Sequence, residues 1–463
     1  MSAADHYQAM VIGSGQAGTP LCVALAEAGL RTALIEREHV GGTCINEGCT
    51  PTKTMVASGR VAYLARRGAD YGVHTADIRV DMERVRLRKR DIVEKFRHGS
   101  RARIDKTRNL ELIVGEASFT SPTSIVVRMP DGTRRSLTAD RFFINAGDRP
   151  SVPSIEGLKD VPFLDSTSIM ELDTVPEHLL VLGGGYVGLE FGQMFRRFGS
   201  RVTIVQAASQ LLVREDLDVA REIATILEQD GIGIRLDAEV SRVTRAGSRI
   251  RLVVGSGAES TEIDGSHLLV ATGRTPNTDT LNVSAARVAT DERGYIKVSD
   301  TLQTSREGIF ALGDIKGGPA FTHISYDDFR IIRTNVLGNG NATTRGRLVP
   351  YTVFIDPQLG RVGLTEADAR AEGRNVRVAR MRMTSVARAL EVDETRGFMK
   401  VIVDADTEEI LGAAILGIEG GEIASMLQVA MMGKLRYTAL RDAVFAHPTL
   451  AESLNNLFTH FDA

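Results

Sequence analysis

The sequence predicts an α/β chain built on two copies of one strand–turn–helix–strand unit, followed by an α+β segment. Three observations predict it. A glycine-rich turn, Gly13-Ser14-Gly15-Gln16-Ala17-Gly18, follows a short apolar run and opens an amphipathic stretch. The same arrangement returns at Gly183-Gly184-Gly185-Tyr186-Val187-Gly188. Beyond residue 350 strand patterns precede helical ones instead of alternating with them.

Tyr7 to Ile12 reads as a strand, the helix runs through Leu30, and the strand Thr32 to Ile35 ends at Glu36, 23 positions after Gly13. In such a βαβ unit Gly13 makes the tight turn, Gly15 lets a pyrophosphate approach, and Gly18 lets the helix pack closely. Glu36 can accept from ribose hydroxyls. His178 to Leu182, then Gly183, Gly185 and Gly188, then Arg201 to Val205 repeat the pattern, with Gln206 in the place of Glu36. Both units are therefore Rossmann-like, and the chain holds two dinucleotide-binding units. A second echo supports duplication: Ile144-Asn145-Ala146-Gly147 and Val270-Ala271-Thr272-Gly273 each close a strand. An acid at position 206 would hold the NAD ribose and repel a 2′-phosphate. Gln206 does neither, and Arg214 is the first arginine after it, so the reading leans to NADPH with NADH use also expected.

Between the units, Met82 to Lys106 is a charged helix whose run Arg84, Arg86, Arg88, Lys89, Arg90 reads as a solvated face rather than a binding patch. Strands near Glu111 to Val114 and Ser124 to Val127, with a turn at Asp131-Gly132, suggest a small β-meander. Gly308 to Asp314 is a strand ending in an acid. Past Pro350, strands near Tyr351 to Phe354, Gly397 to Asp404 and Leu411 to Ile418 precede helices near Gly421 to Gly433 and Leu450 to Phe458.

Two of the three cysteines, Cys44 and Cys49, lie in Gly41-Gly42-Thr43-Cys44-Ile45-Asn46-Glu47-Gly48-Cys49-Thr50-Pro51-Thr52-Lys53. On an ideal helix their Cα atoms would stand about 8–9 Å apart, and a disulfide wants roughly 4.4–6.8 Å. The pair can bridge only where the helix start is distorted, which Gly41, Gly42 and Gly48 permit. A strained bridge is easily reduced, and a helix N-terminus lowers a thiol pKa. Spacing alone leaves a working redox pair and two buried structural thiols equally open. Near the C-terminus stands His447-Pro448-Thr449-Leu450-Ala451-Glu452. An imidazole titrates near neutrality and can carry a proton between thiols, with Glu452 to orient it.

Composition bounds the rest. The 463 residues are 25% charged with a formal net charge of -3, which points neither to nucleic acid nor to an anionic membrane surface. No run of about 18 apolar residues predicts a membrane span. Met1 to Ala9 lacks a signal-peptide pattern. Three cysteines fit a reducing compartment, so a cytoplasmic protein is expected. Cys22, on the first helix, reads as a small buried hydrophobe.

The cysteine stretch matches every position of the redox motif of the class I pyridine nucleotide-disulfide oxidoreductases. That flavoenzyme family includes dihydrolipoamide dehydrogenase, glutathione reductase, mercuric reductase and the RclA-type reductases of reactive-chlorine stress. The resemblance covers essentially the whole chain. It implies an FAD domain over 1–150 with the redox disulfide, an NAD(P) domain over 151–276, a segment 277–345 completing the FAD domain, and a dimerisation domain over 346–463. It implies hydride flow from nicotinamide to flavin to the Cys44–Cys49 pair, with Cys49 nearest the flavin and Cys44 the outer, attacking thiol. Lys53 matches the lysine beside the flavin, with Glu190 as its partner. On the FAD side the resemblance assigns Gly42, Thr43, Ala117, Gly147, Asp314 and Thr322. On the nicotinamide side it assigns Tyr186 as the gate, with ordinary helix packing the alternative, together with Val240, Gly273 and Arg274. The dyad His447–Glu452 implies an obligate homodimer, because in the family it serves the other subunit's cysteines.

The acceptor is where the resemblance thins. Thr19-Pro20-Leu21 lacks the arginine of glutathione reductases. No cysteine follows Cys49, so the C-terminal pair of mercuric reductases is absent, and no N-terminal Cys-x-x-Cys domain is seen. Yet Thr384 to Lys400, Thr50 to Lys53 and Gly317 to Ile331 resemble mercuric reductase and RclA-type sequences. No fixed metal site is expected, but Cys44 and Cys49 can serve as transient ligands for a soft metal such as Cu(I) or Hg(II). The expectation is an RclA-like reductase acting on a small-molecule or metal-ion acceptor, Cu(II) included. Dihydrolipoamide dehydrogenase is the alternative enzyme, and a flavin- and metal-binding stress sensor the non-enzymatic one.

Overall fold

A computed structural model describes residues 5–255 and 260–462. Contacts divide the chain into two units. One comprises Met1–Thr54, Arg84–Ser151 and Gly273–Arg347, the other Met55–Glu83, Val152–Thr272 and Leu348–Ala463.

The first unit is built on a seven-stranded sheet. Its order is Leu110–Val114, Thr32–Glu36, Asp5–Ile12, Arg134–Ile144, Ser124–Arg128 and Glu116–Ser121, with Ile309–Ala311 also paired to Arg134–Ile144. The first four are parallel neighbours, from Ile12 opposite Ile35 to Ile12 opposite Ile144. Alternation along the central strand explains why both faces are covered. Ala9 and Val11 pack with Leu21, Leu25 and Phe329, while Met10 and Ile12 pack with Phe119, Phe142 and Ile315. A strand buried on both faces is what a parallel sheet demands. Cys22 is fully buried among the first set, as expected, and burial pushes its thiol up to about 12.

The second unit holds a parallel sheet ordered Ile232–Arg235, Arg201–Val205, His178–Leu182, His267–Val270, and a three-stranded antiparallel sheet over Val240–Gly265. A five-stranded antiparallel sheet follows: Tyr351–Val353, Gln358–Gly363, Ile410–Gly417, Phe398–Asp404, Val376–Arg382. Met399, Val401 and Val403 alternate toward one face, where Ile423, Leu427 and Leu457 complete a core.

Three sequence readings need correction. Leu110–Val114 is no part of a meander; it is a parallel edge strand beside Thr32–Glu36, and the meander is Glu116–Ser121, Ser124–Arg128 and Arg134–Ile144. Gln358–Gly363 and Val376–Arg382 are strands that carried no clear strand pattern. The first contains Gly360, where a Cβ would stand 2.2 Å from Gly420 O. The second is arginine-rich because Arg380 and Arg382 pair with Asp218, Glu366 and Glu222. Finally, the basic run on helix Met82–Lys106 is not uniformly solvated: Lys89 is 3% exposed and Arg88 donates to Thr54 O at 2.8 Å.

Candidate active site and cofactor cradles

The two glycine turns are copies at atomic detail. Gly13 N donates to Ile35 O at 2.8 Å, and Gly183 N to Val205 O at 2.9 Å. Asn145 N donates to Ile12 O and Ala271 N to Leu182 O, at 2.7 and 2.8 Å. A Cβ on Gly13 would stand 2.3 Å from Asn145 O, and one on Gly183 2.4 Å from Ala271 O. Both glycines have positive φ, 97° and 114°, so the turn needs them twice over. Gly18 and Gly188 press their helices against Gly13 O and Gly183 O in the same way, with a Cβ at 2.0 and 2.2 Å.

The residues that end the second strands also match. Glu36 accepts from Ser14 N at 3.0 Å and from Ser14 Oγ at 2.5 Å. Gln206 Oε1 accepts from Gly184 N at 3.0 Å. Gln206 thus keeps the turn-shaping role of the acid and drops its charge. Ser14 and Asn145 stood in the sequence motifs without an assigned role. Ser14 Oγ accepts from Gly41 N at 3.0 Å, and Asn145 accepts from Gly18 N while donating to Leu312 O, both at 2.9 Å. Asn145 was legible only as a polar residue closing an apolar strand.

Does this chain fit dinucleotides? At Gly147, Gly185 and Gly273 no atom lies within 4 Å of where a Cβ would stand, so backbone is open to a ligand in both halves. Gly185 caps the 13-residue helix Tyr186–Phe198, whose N-terminal end suits a phosphate. Tyr186, the first residue of that helix, is 38% exposed. In the first unit Asp314 sits in the turn Gly313–Lys316, and burial is the main cause that lifts its carboxyl to about 6. Among the described residues no protein group donates a hydrogen bond to that carboxylate, so a ligand hydroxyl fits it. Arg274 donates to Asp148 Oδ1 at 2.6 Å, which opposes the burial that raises Asp148. Ala117 and Val240 are buried starts of strands, at 4% and 7% exposure. The residues present fit the two cofactors.

The Asp314 shift has a sign that can be tested without cofactor. Its folded pKa lies above the ordinary 3.8, so the group costs stability as pH rises from about 4 to about 6, and the cost stays above that. In cofactor-free protein Asp314→Asn is expected to gain on the order of 1–3 kcal/mol at pH 8 and nothing at pH 4. Denaturant midpoints at the two pH values measure it.

The cysteine pair sits at a break between two helices. Cys44 lies in the short helix Gly42–Asn46, and Cys49 begins the helix Cys49–Arg66. The expected distortion is this break: Glu47 leaves helical geometry at φ −139°, and a Cβ on Gly48 would stand 2.9 Å from Thr43 O. Gly42, at φ 63°, brings the short helix against the first glycine turn; a Cβ there would stand 2.6 Å from Gly15 Cα. In this structure the pair is two thiols. Hydrogen bonding to Cys49, then burial, pushes the Cys44 thiol well above the ordinary range, against the Thr322 hydroxyl and the Lys53 charge. The direction is opposite to that expected from the helix N-terminus. Thr322 Oγ1 lies 3.4 Å from Cys49 Sγ, at the start of the helix Thr322–Leu337. Thr322 therefore faces a thiol. Lys53 is one helical turn after Cys49, on the same side.

In the second unit Glu190 is 3% exposed and accepts from Phe354 N at 2.8 Å. His447 Nδ1 stands 2.9 and 3.0 Å from the two oxygens of Glu452, and the imidazole is 72% exposed. Among the described residues no cluster of three His, Cys, Asp or Glu could hold a metal, and no helix is long and apolar enough to cross a membrane.

Comparison with known proteins agrees with this geometry. Residues 7–328 match the family described as pyridine nucleotide-disulphide oxidoreductase, and residues 349–458 match its dimerisation domain. The chain is 40% identical to the probable pyridine nucleotide-disulfide oxidoreductase RclA of Escherichia coli K12, over 98% of this chain and 99% of that one. It is 34% identical to a mercuric reductase of Lysinibacillus sphaericus, over 99% and 83%. The solved Cu(II) complex of the HOCl-induced flavoprotein disulfide reductase RclA from Escherichia coli superposes with a TM-score of 0.90 at 40% identity, covering 98% of this chain and 99% of that one. Two dinucleotide cradles, a thiol pair at a helix break and this match over nearly the whole length have one consequence: the chain belongs to the pyridine nucleotide-disulphide oxidoreductase family.

Proposed function

We propose that this oxidoreductase uses Cys44 and Cys49 to pass electrons to an acceptor, and that the acceptor is RclA-like, a soft metal ion such as Cu(II) among its substrates. The observation that carries the reading is the thiol pair, with Cys44 hydrogen-bonded to Cys49 where two helices meet. FAD and NAD(P)H are the family's cofactors, and bound FAD supplies two-electron transfer between the nicotinamide and the pair. Gly13, Gly15, Gly18, Glu36, Gly42, Thr43, Ala117, Gly147, Asp314 and Thr322 would hold FAD. Gly183, Gly185, Tyr186, Gly188, Gln206, Val240, Gly273 and Arg274 would hold the nicotinamide cofactor, with Tyr186 as its cover. Residues 1–150 and 277–345 form the FAD domain in this reading, 151–276 the NAD(P) domain and 346–463 the dimerisation domain. Lys53 contributes positive charge beside the thiols, and Glu190 a buried carboxylate.

Cys44 holds its proton against Cys49, so it needs a base before it can attack. His447, oriented by Glu452, is that base in a homodimer, acting on the partner's thiols. With a disulfide acceptor, the Cys44 thiolate displaces one thiolate and forms a mixed disulfide. Cys49 then attacks Cys44, releases the second thiolate and closes the Cys44–Cys49 bond. With a metal, two Cu(II) ions become two Cu(I) ions while the pair loses two protons and closes the same bond.

Support for the metal comes from the relatives: the mercuric reductase, and the RclA structure described as a Cu(II) complex. The exposed dyad and the reducing thiol count of the sequence fit a cytoplasmic homodimer. The test is steady-state NADPH and NADH oxidation with Cu(II), Hg(II), lipoamide and glutathione disulfide. Faster turnover with a metal than with lipoamide is expected. The reverse order would place the chain on the dihydrolipoamide dehydrogenase branch.

A further inference from the structure

The turn that presents Asp314 is fixed by one acid behind it. Asp328, on the helix Thr322–Leu337, is fully buried. Its Oδ2 accepts from Gly313 N at 2.9 Å and stands 3.3 Å from Lys316 Nζ. Its Oδ1 accepts from Arg347 at 2.8 Å. Gly313 precedes Asp314 and Lys316 follows it by two, so one carboxylate holds the turn Gly313–Lys316 on both sides of Asp314. The approach to the turn is stitched as well. Leu312 N donates to Ile144 O, and Leu312 O accepts from Asn145 Nδ2, both at 2.9 Å. Gly313 sits at φ 69°, where a Cβ would stand 2.8 Å from both Asn145 Nδ2 and Ser325 Oγ.

The charges around the turn offset one another. The Lys316 and Arg347 side chains are 7% and 16% exposed, so water and salt screen neither well. Asp327 shares Arg347 at 3.1 Å and stands 4.0 Å from Arg330. Burial and the Asp148 charge raise the Asp314 carboxyl, and the Arg274 and Lys316 charges oppose them. Lys316 thus acts on Asp314 from one side and is neutralised by Asp328 from the other. A buried ion pair of this kind adds little net stability over an apolar replacement. Stability alone does not account for a fully buried acid at this place, whereas its hold on the Asp314 turn does.

We propose that Asp328 is a positioning residue for FAD: it holds the turn so that the Asp314 carboxylate meets the cofactor, and it neutralises Lys316 so that the bound flavin sees little net charge from this side. This rests on the proposed cofactor reading of Asp314 and adds a residue which that reading does not contain.

The test compares Asp328→Asn, Lys316→Gln and the double variant, each stripped of FAD and reloaded. Asn keeps an acceptor for Gly313 N but turns N–H groups toward a cation, so the turn loses part of its anchor. FAD Kd, read from quenching of flavin fluorescence, is expected to rise on the order of tenfold in Asp328→Asn. The flavin midpoint potential separates charge from packing. It is measured in a Cys44→Ser background, where the thiol pair takes up no electrons. Asp328→Asn leaves the cations Lys316 and Arg347 in excess, which favours the anionic reduced flavin; Lys316→Gln leaves the carboxylates in excess and disfavours it. The ratio of reduced to oxidised flavin at a fixed potential is expected to move on the order of tenfold, up in the first variant and down in the second, about 30 mV each for a two-electron couple. The double variant is expected to return toward wild type. Shifts of the same sign in the two single variants, or no shift, overturn the inference, as does an unchanged FAD Kd in Asp328→Asn. Should Asp328→Asn fail to fold, Lys316→Gln decides alone: a lowered potential supports the inference and an unmoved or raised one overturns it. Failure of the stripped wild type to take up FAD would instead sink the cofactor reading of Asp314.

Discussion

Cys44→Ser is expected to abolish NADPH-driven reduction of disulfides, by roughly three orders of magnitude or more, while leaving FAD content unchanged. The argument is geometric. Cys44 and Cys49 close a hydrogen-bonded pair across a helix break, and no third cysteine can stand in, since Cys22 is fully buried in the sheet–helix core. An oxygen at position 44 can neither form the mixed disulfide nor close the ring with Cys49. The cradle is untouched, because the glycine turn and Asp314 do not depend on the sulfur. Flavin absorbance per protomer checks the second half of the expectation. A Cys44→Ser enzyme that still turns over disulfides would remove the pair from the mechanism, and unchanged cellular function in that variant would favour a sensor role.

His447→Ala is expected to lower disulfide turnover by about 10²–10⁴ and metal reduction by clearly less. The second sulfur and burial push the Cys44 thiol up, so in the proposed mechanism loss of His447 removes the base that would take its proton. The leaving thiolates of a disulfide also need protons returned to them. A metal that binds thiolate directly displaces the proton itself, which lessens the demand on the imidazole. Glu452→Gln should follow His447→Ala at reduced size, because the carboxylate fixes the ring through Nδ1 at 2.9 and 3.0 Å. Equal losses for disulfide and metal would count against a metal substrate.

Much of this was legible because glycines, cysteines and a His-Glu pair act through local rules. The turns at Gly13 and Gly183 depend on backbone geometry that few other residues allow, so their spacing exposed the duplication. The redox break lies within thirteen residues of sequence. What stayed hidden depends on distant partners. Val376–Arg382 reads as a polar stretch until Asp218, Glu222 and Glu366 arrive from elsewhere in the chain. Lys89 looks solvated until the helix is packed. The upward shift of Cys44 was missed for the same reason: helix dipole arguments do not include the second sulfur.

The central claim is that Cys44 and Cys49 store two electrons apart from the flavin. Anaerobic reductive titration of the FAD-loaded enzyme measures it directly, by counting reducing equivalents per protomer. The wild type is expected to take up about four electrons, two on FAD and two on the pair, and Cys44→Ser about two. Uptake of only two electrons by the wild type would contradict the account.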